Sequence, residues 1–131
     1  MKYFLLLFSV LCFFTSNALG QTFLCDRISL DASGFTTRSA AESWFRKKVK
    51  IVADLNQKTA TAYGQTTDLY IREDNKRLKA TFFIKTRSGR RIPLSFVFLA
   101  NGEVHSSISQ QAGYKTTGGG VYKCSGWNGS L

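Results

Sequence analysis

The chain has 131 residues, 44% of them hydrophobic, one proline, and 18 Lys and Arg against 8 Asp and Glu, for a formal charge of +10. That length holds one domain, and the composition excludes a disordered, collagen-like or low-complexity chain. The charge favours anionic partners without choosing among them.

Lys2 precedes an apolar run over residues 3–14, which is followed by Thr15-Ser16-Asn17 and Ala18-Leu19-Gly20. A charged start, a short apolar stretch and a small-x-small site predict an export signal over residues 1–20, with a single β-rich domain over 21–131. The apolar run falls short of the roughly 20 residues that span a bilayer, so a periplasmic or secreted product is expected rather than an anchored one. Cys12 lies within that run and is expected to leave with it, which keeps Cys25 and Cys124. An oxidising compartment joins such a pair, and neither a Cys-x-x-Cys nor a Cys/His cluster competes. A structural disulfide between the first and last strands is predicted, its Cα atoms about 4.4–6.8 Å apart.

Residues 23–30 alternate in part and predict the first strand. Ser39 and Glu42 have capping-box spacing, which predicts a helix over residues 40–48. Ala41, Trp44 and Phe45 fall on one face of it as core anchors. Arg46, Lys47 and Lys48 would occupy its last turn, where cations meet the negative end of the helix dipole.

From Val49 the period becomes two: Val49, Ile51, Ala53 and Leu55 share a face, and Asn56-Gln57-Lys58 turns the chain into residues 59–63. Leu69 and Ile71 continue the pattern. Residues 73–76 form a turn before Leu78, Ala80, Phe82 and Ile84. Residues 87–90 turn into Ile92, Leu94, Phe96 and Phe98, and Asn101-Gly102 is a type I′ hairpin signal before Val104, Ser106 and Ile108. Pro93 suits a strand start or an edge. Phe83, Val97 and Leu99 have the opposite parity and call for cover on the second face, for which the helix is the available element. Residues 109–120 are polar and rich in Gly and read as a loop, because no Lys-Ser/Thr or helix follows the three glycines as a phosphate cradle requires. A last short strand covers 121–124, and Trp127 beyond it is either a barrel plug or an exposed contact residue.

The expected fold is mainly β: a small antiparallel barrel or sandwich of about seven or eight strands, with one N-terminal helix and one disulfide. The barrel is preferred over a curled sheet packed on the helix. Residues 54–61 (DLNQKTAT), the Asn101-Gly102 hairpin and the terminal VYKC together resemble small exported bacterial β-proteins of unassigned role. The architecture is also similar to that of periplasmic lysozyme inhibitors, which carry a Ser-Gly-x-x-Tyr loop. Here Ser88-Gly89 is followed by Arg90-Arg91-Ile92 and Ser125-Gly126 by Trp127-Asn128-Gly129, so the inhibitory residues are not carried over.

Catalytic groupings are not evident. His105 is the lone histidine, on a strand position expected to face solvent, and the carboxylates are scattered among cap and turn positions. Cofactors and metals are not expected. What stands out is charge in three clusters: Arg46, Lys47, Lys48 and Lys50; Arg72, Lys76, Arg77 and Lys79; and Lys85, Arg87, Arg90 and Arg91. The expected function is therefore an exported, non-catalytic binding module for an anionic partner, whether a glycan or other polymer, a membrane surface or an acidic protein. Export disfavours nucleic acid. Lys85, Arg87, Arg90 and Arg91, with Arg46, Lys47 and Lys48, are the candidate binding residues. The alternative is an inhibitor of a secreted or periplasmic hydrolase acting through a loop.

Overall fold

Strand-period alternation continues until the sheet meets itself. The computed structural model describes residues 20–108 and 118–131. Over these residues β1 (Gly20–Asp31), β2 (Lys48–Asp54), β3 (Thr59–Ala62), β4 (Gln65–Ile71), β5 (Leu78–Lys85), β6 (Arg91–Phe98), β7 (Glu103–Ile108) and β8 (Gly119–Ser125) form a closed antiparallel barrel in sequence order. Closure excludes the sandwich and leaves the sheet without open edges. The one described helix, α1 (Arg38–Trp44), is not N-terminal: it follows β1. Gly20, expected to end the export signal, already begins β1 opposite Asp54. Residues 1–19 and 109–117, which carry the rest of that signal and most of the expected Gly-rich loop, lie outside the described residues. Among the described residues, no helix is long and apolar enough to cross a membrane.

The barrel interior is filled. Phe23, Phe82, Phe96, Phe98 and Tyr122 are fully buried, and Ala53, Ala60, Ala62 and Ala80 supply the small side chains that leave room for their rings. Trp127 plugs one end: it is buried, stands edge-on to Phe98 at 5.6 Å between centroids, and donates its indole N–H to the Leu99 carbonyl at 2.9 Å. Cys25 and Cys124 are bonded and are direct register partners of β1 and β8. Their Cα atoms are 3.9 Å apart, closer than the expected range.

The helix departs from expectation. Thr37, rather than Ser39, is the N-cap, accepting from the Ala40 N–H at 3.1 Å, while Glu42 pairs with Arg38 at 3.5 Å and Arg27 at 4.0 Å. The helix ends at Trp44, so its last turn contains no basic residue, and Lys48 already begins β2. Seven residues are too few for a stable isolated helix. Barrel residues fix its end instead: the Arg27 guanidinium donates to the Phe45 carbonyl, and the Tyr122 hydroxyl donates to the Arg46 carbonyl at 2.7 Å. Phe45 is buried in the core and meets Phe35 edge-on at 6.0 Å. The helix thus sits at a barrel end beside β1 and does not cover Phe83. That ring is covered by the Arg91 guanidinium, 4.7 Å from its centroid.

The turns also differ in detail. Gly102 has φ 87° and donates to the Leu99 carbonyl at 3.1 Å, while Asn101 is not left-handed, so residues 99–102 form a type I turn closed by a left-handed Gly rather than a type I′ turn. The 86–89 turn repeats this geometry, with Gly89 N–H donating to the Thr86 carbonyl at 3.0 Å. Pro93 is the register partner of Phe83 on β5, and among the described residues the β6–β7 ladder begins one residue later, at Leu94. Gly119 and Gly120 belong to β8, not to a loop, and close packing explains them. A Cβ on Gly119 would strike the Ser106 carbonyl, and one on Gly120 would lie 2.9 Å from the Tyr122 ring and 3.3 Å from Phe45 Cβ.

Candidate functional site at the helix-bearing rim

An up-and-down barrel places alternate connections at opposite ends. The β1–β2 connection with α1, the β3–β4 turn and the β5–β6 hairpin therefore share one rim, while the β4–β5 turn lies at the other, with Trp127. The consequence for charge is direct. The Arg46 and Lys85–Arg91 clusters come to the same end, and Arg72, Lys76 and Arg77 go to the opposite one, where Arg72 pairs with Asp74 at 3.6 Å.

At the shared rim, Trp44, Arg46, Tyr63, Ile84, Lys85 and Arg87, with Ser43 and Thr86, line an open cleft of about 350 Å³. Its shape follows from a splayed seam. The β4–β5 register covers only Leu69–Ile71 against Leu78–Ala80, so the later part of β5 diverges from β4. Gln65 bridges the gap with its carboxamide, which accepts from the Phe83 N–H at 2.9 Å and donates to the Phe83 carbonyl. This mimics a backbone pair and holds the β5–β6 hairpin in place across the seam.

Tyr63 forms the cleft's inner wall. With Gly64 it makes the two-residue β3–β4 turn, both residues left-handed at φ 53° and 66°. A bulky residue is uncommon in that conformation, which Asn or Gly adopts more readily. The ring is fixed by Phe82 at 5.7 Å and Phe96 at 6.2 Å, and the Arg46 guanidinium lies 5.1 Å from its centroid. Its hydroxyl is buried with no hydrogen-bond partner among the described residues. Burial pushes the Tyr63 phenol up to about 12, against a smaller opposing effect of Arg46, so it is a donor at neutral pH.

Arg46, Lys85 and Arg87 are exposed, and none pairs with a carboxylate among the described residues. The other candidate residues are distributed differently. Lys48 faces the outer wall of β1 and β2, 3.9 Å from Asp26, beside a second recess that includes Leu24 and Lys50. Lys47 is exposed, and its carbonyl accepts from the Arg27 N–H at 2.8 Å. Arg90 closes the hairpin tip through backbone bonds with Thr86, and Arg91 lies over Phe83 outside the cleft.

Sequence reasoning missed Arg27, Tyr63 and Gln65 and assigned Trp44 wholly to the core. Two signals were present: Arg27 continues the inward parity of Phe23 and Cys25, and Tyr63-Gly64 interrupts two alternating strands as a two-residue turn. His105 is exposed on β7, its Nε2 3.3 Å from Glu103. Among the described residues, no group of three potential metal ligands is assembled. In comparisons with known proteins the chain matches no family model, no curated protein and no solved structure.

Proposed function

We propose that the protein is an exported, non-catalytic binding module that captures an anionic partner at the helix-bearing rim. The observation that carries this reading is the convergence of Arg46 with Lys85 and Arg87 around one cleft, without carboxylate partners among the described residues. Each cation comes from an anchored segment: Arg46 follows the carbonyl held by Arg27, and Lys85 and Arg87 lie on the hairpin braced by Gln65. Because the charges are solvated, they attract an anion without a burial cost, and the attraction weakens as added salt shortens the screening length. The disulfide and the lack of a membrane-spanning helix among the described residues are compatible with export.

The test is binding of the mature domain to an immobilised polyanion across a salt series, for the parent and for Arg46→Ser/Lys85→Ser/Arg87→Ser. Binding should fall with salt, and the triple variant should bind at least about tenfold more weakly, equivalent to about 1.4 kcal/mol. It should lose no more than about 1 kcal/mol of stability, mainly through the Arg46–Tyr63 contact. Unchanged binding would sink the proposal.

A second reading, inhibition of a secreted hydrolase, rests on the exposed tip at Arg87-Ser88-Gly89, which Thr86 pins at its base through bonds to Gly89 and Arg90. Such a cationic tip suits an acidic active-site groove. Stoichiometric inhibition abolished by Arg87→Ser would favour it.

A further inference from the structure

Cations alone make an undiscriminating site, and this cleft has two further features. The first is Trp44. Unlike the buried Phe45 beside it, Trp44 is only half-buried: it packs against the core as expected and also lines the cleft with Ser43 and Arg46. The second is the Tyr63 hydroxyl, a buried donor lacking an acceptor among the described residues, on a ring fixed by Phe82 and Phe96. A left-handed turn that Asn would form more readily is occupied instead by a tyrosine that lines the cleft and keeps its hydroxyl buried behind it.

We infer that the cleft recognises an acidic sugar unit, with Trp44 against the C–H face of the pyranose, Arg46, Lys85 and Arg87 around its carboxylate or sulfate, and Tyr63 donating to an anionic or hydroxyl oxygen. This rests on the anion-binding reading above and narrows its ligand class. An aromatic platform beside cations matches a pyranose, which has an apolar face and, when acidic, a charged substituent at its edge. A concave cleft of about 350 Å³ is near the low end of the roughly 300–1,000 Å³ typical of small-ligand sites, and it suits one or two sugar rings better than a flat bilayer. A flexible acidic peptide would satisfy the cations but makes no particular use of the indole. Arg46 is exposed and its guanidinium lies 5.1 Å from the Tyr63 ring centroid, so the cation and the phenol belong to one side of the cleft. Because burial keeps that phenol protonated well above neutral pH, it is available as a donor throughout the physiological range.

The experiment uses a Trp127→Phe background, in which Trp44 is the only tryptophan of the mature chain, and titrates five probes at low salt. These are an oligogalacturonate, a sulfated oligosaccharide, a neutral oligosaccharide of matched length, polyglutamate and phosphatidylglycerol vesicles. Affinity is measured by calorimetry, and Trp44 emission is followed in parallel. The acidic oligosaccharides should bind and shift that emission, the two of them separating carboxylate from sulfate preference, while the neutral one should bind at least about tenfold more weakly. By calorimetry on the unmodified background, Trp44→Ala should weaken acidic-sugar binding about tenfold and leave polyglutamate binding within about twofold. Tyr63→Phe should weaken acidic-sugar binding several-fold without lowering the melting temperature, since it deletes a hydroxyl that has no partner among the described residues. If Trp44→Ala disturbs the fold, Trp44→Leu and Tyr63→Phe together carry the test.

Acidic-sugar binding that ignores both residues would overturn the inference. So would polyglutamate or vesicles binding as tightly as the sugars with the same dependence on Arg46, Lys85 and Arg87, although the broader anion-binding proposal would then survive. Failure of every anionic probe would remove both.

Discussion

Removing the disulfide should destabilise the domain by about 4–5 kcal/mol. Cys25 and Cys124 are 99 residues apart, so in the chain-entropy model their bond denies the unfolded chain conformations worth about that much at 25 °C. The native side changes less, because β1 and β8 remain paired from Leu24–Ser125 to Asp31–Gly119. Both positions are buried, so Cys25→Ala/Cys124→Ala is the appropriate variant; serine would add two buried hydroxyls. Urea unfolding of parent and variant, extrapolated to water, gives the difference. An effect on the unfolded state also predicts a steeper urea dependence for the variant, whose uncrosslinked chain exposes more surface. A loss below about 1 kcal/mol with an unchanged slope would mean instead that the β1–β8 ladder closes the barrel unaided.

Three other perturbations separate parts of the structure. Phe45→Ala should cost about 3–5 kcal/mol in urea unfolding, whereas Trp44→Ala, at a half-buried site, should cost about 1–2 kcal/mol; equal losses would return Trp44 to the core. Gly119→Ala should cost about 2 kcal/mol or more, because its Cβ meets the Ser106 carbonyl of the neighbouring strand, and an unchanged melting temperature would argue against that close approach. Tyr63 and Tyr122 are both held protonated, chiefly by burial, and Tyr63 is raised from 10.0 to about 12. Because the folded value is the higher, this contribution is fully present below pH 10 and is lost as pH rises toward 12, so phenolate absorbance from these two residues should appear together with loss of near-ultraviolet circular dichroism. Their ionisation in an intact fold would contradict the assignment.

The strands were legible where one face is buried. Val49, Ile51 and Ala53 point inward as their alternation requires, as do Leu78, Ala80 and Phe82 on β5 and Ile92, Leu94, Phe96 and Phe98 on β6. The pairing of Cys25 with Cys124 was legible from the cysteine count and the expectation of an oxidising compartment. The end of the helix was not, since the groups that stop it, Arg27 and Tyr122, lie 18 and 76 residues from the carbonyls they bind. Its start was ambiguous because Thr37 and Ser39 both offer a hydroxyl at a plausible position, and the Arg27 and Arg38 partners of Glu42 draw that carboxylate away from a capping box.

The candidate cleft was half legible. Its cations were already grouped along the chain, and an up-and-down meander implies which clusters share an end. The seam between β4 and β5 was hidden, because the Gln65 carboxamide that replaces backbone pairing there leaves no periodic signal. Trp44 and Phe45 are adjacent and similar in hydrophobicity, so only the seating of Phe45 in the core reveals that Trp44 reaches the cleft.

Backbone amide chemical-shift mapping decides whether the proposed anion binding takes place at the helix-bearing rim. The labelled domain would be titrated with a sulfated oligosaccharide at low salt, with resonances followed residue by residue. The largest shifts should fall on Trp44, Arg46, Gly64, Lys85 and Arg87, fade as salt is added, and leave Arg72, Lys76 and Arg77 nearly unmoved. Shifts concentrated at Arg72, Lys76 and Arg77, or spread evenly over all the basic residues, would contradict binding at that rim.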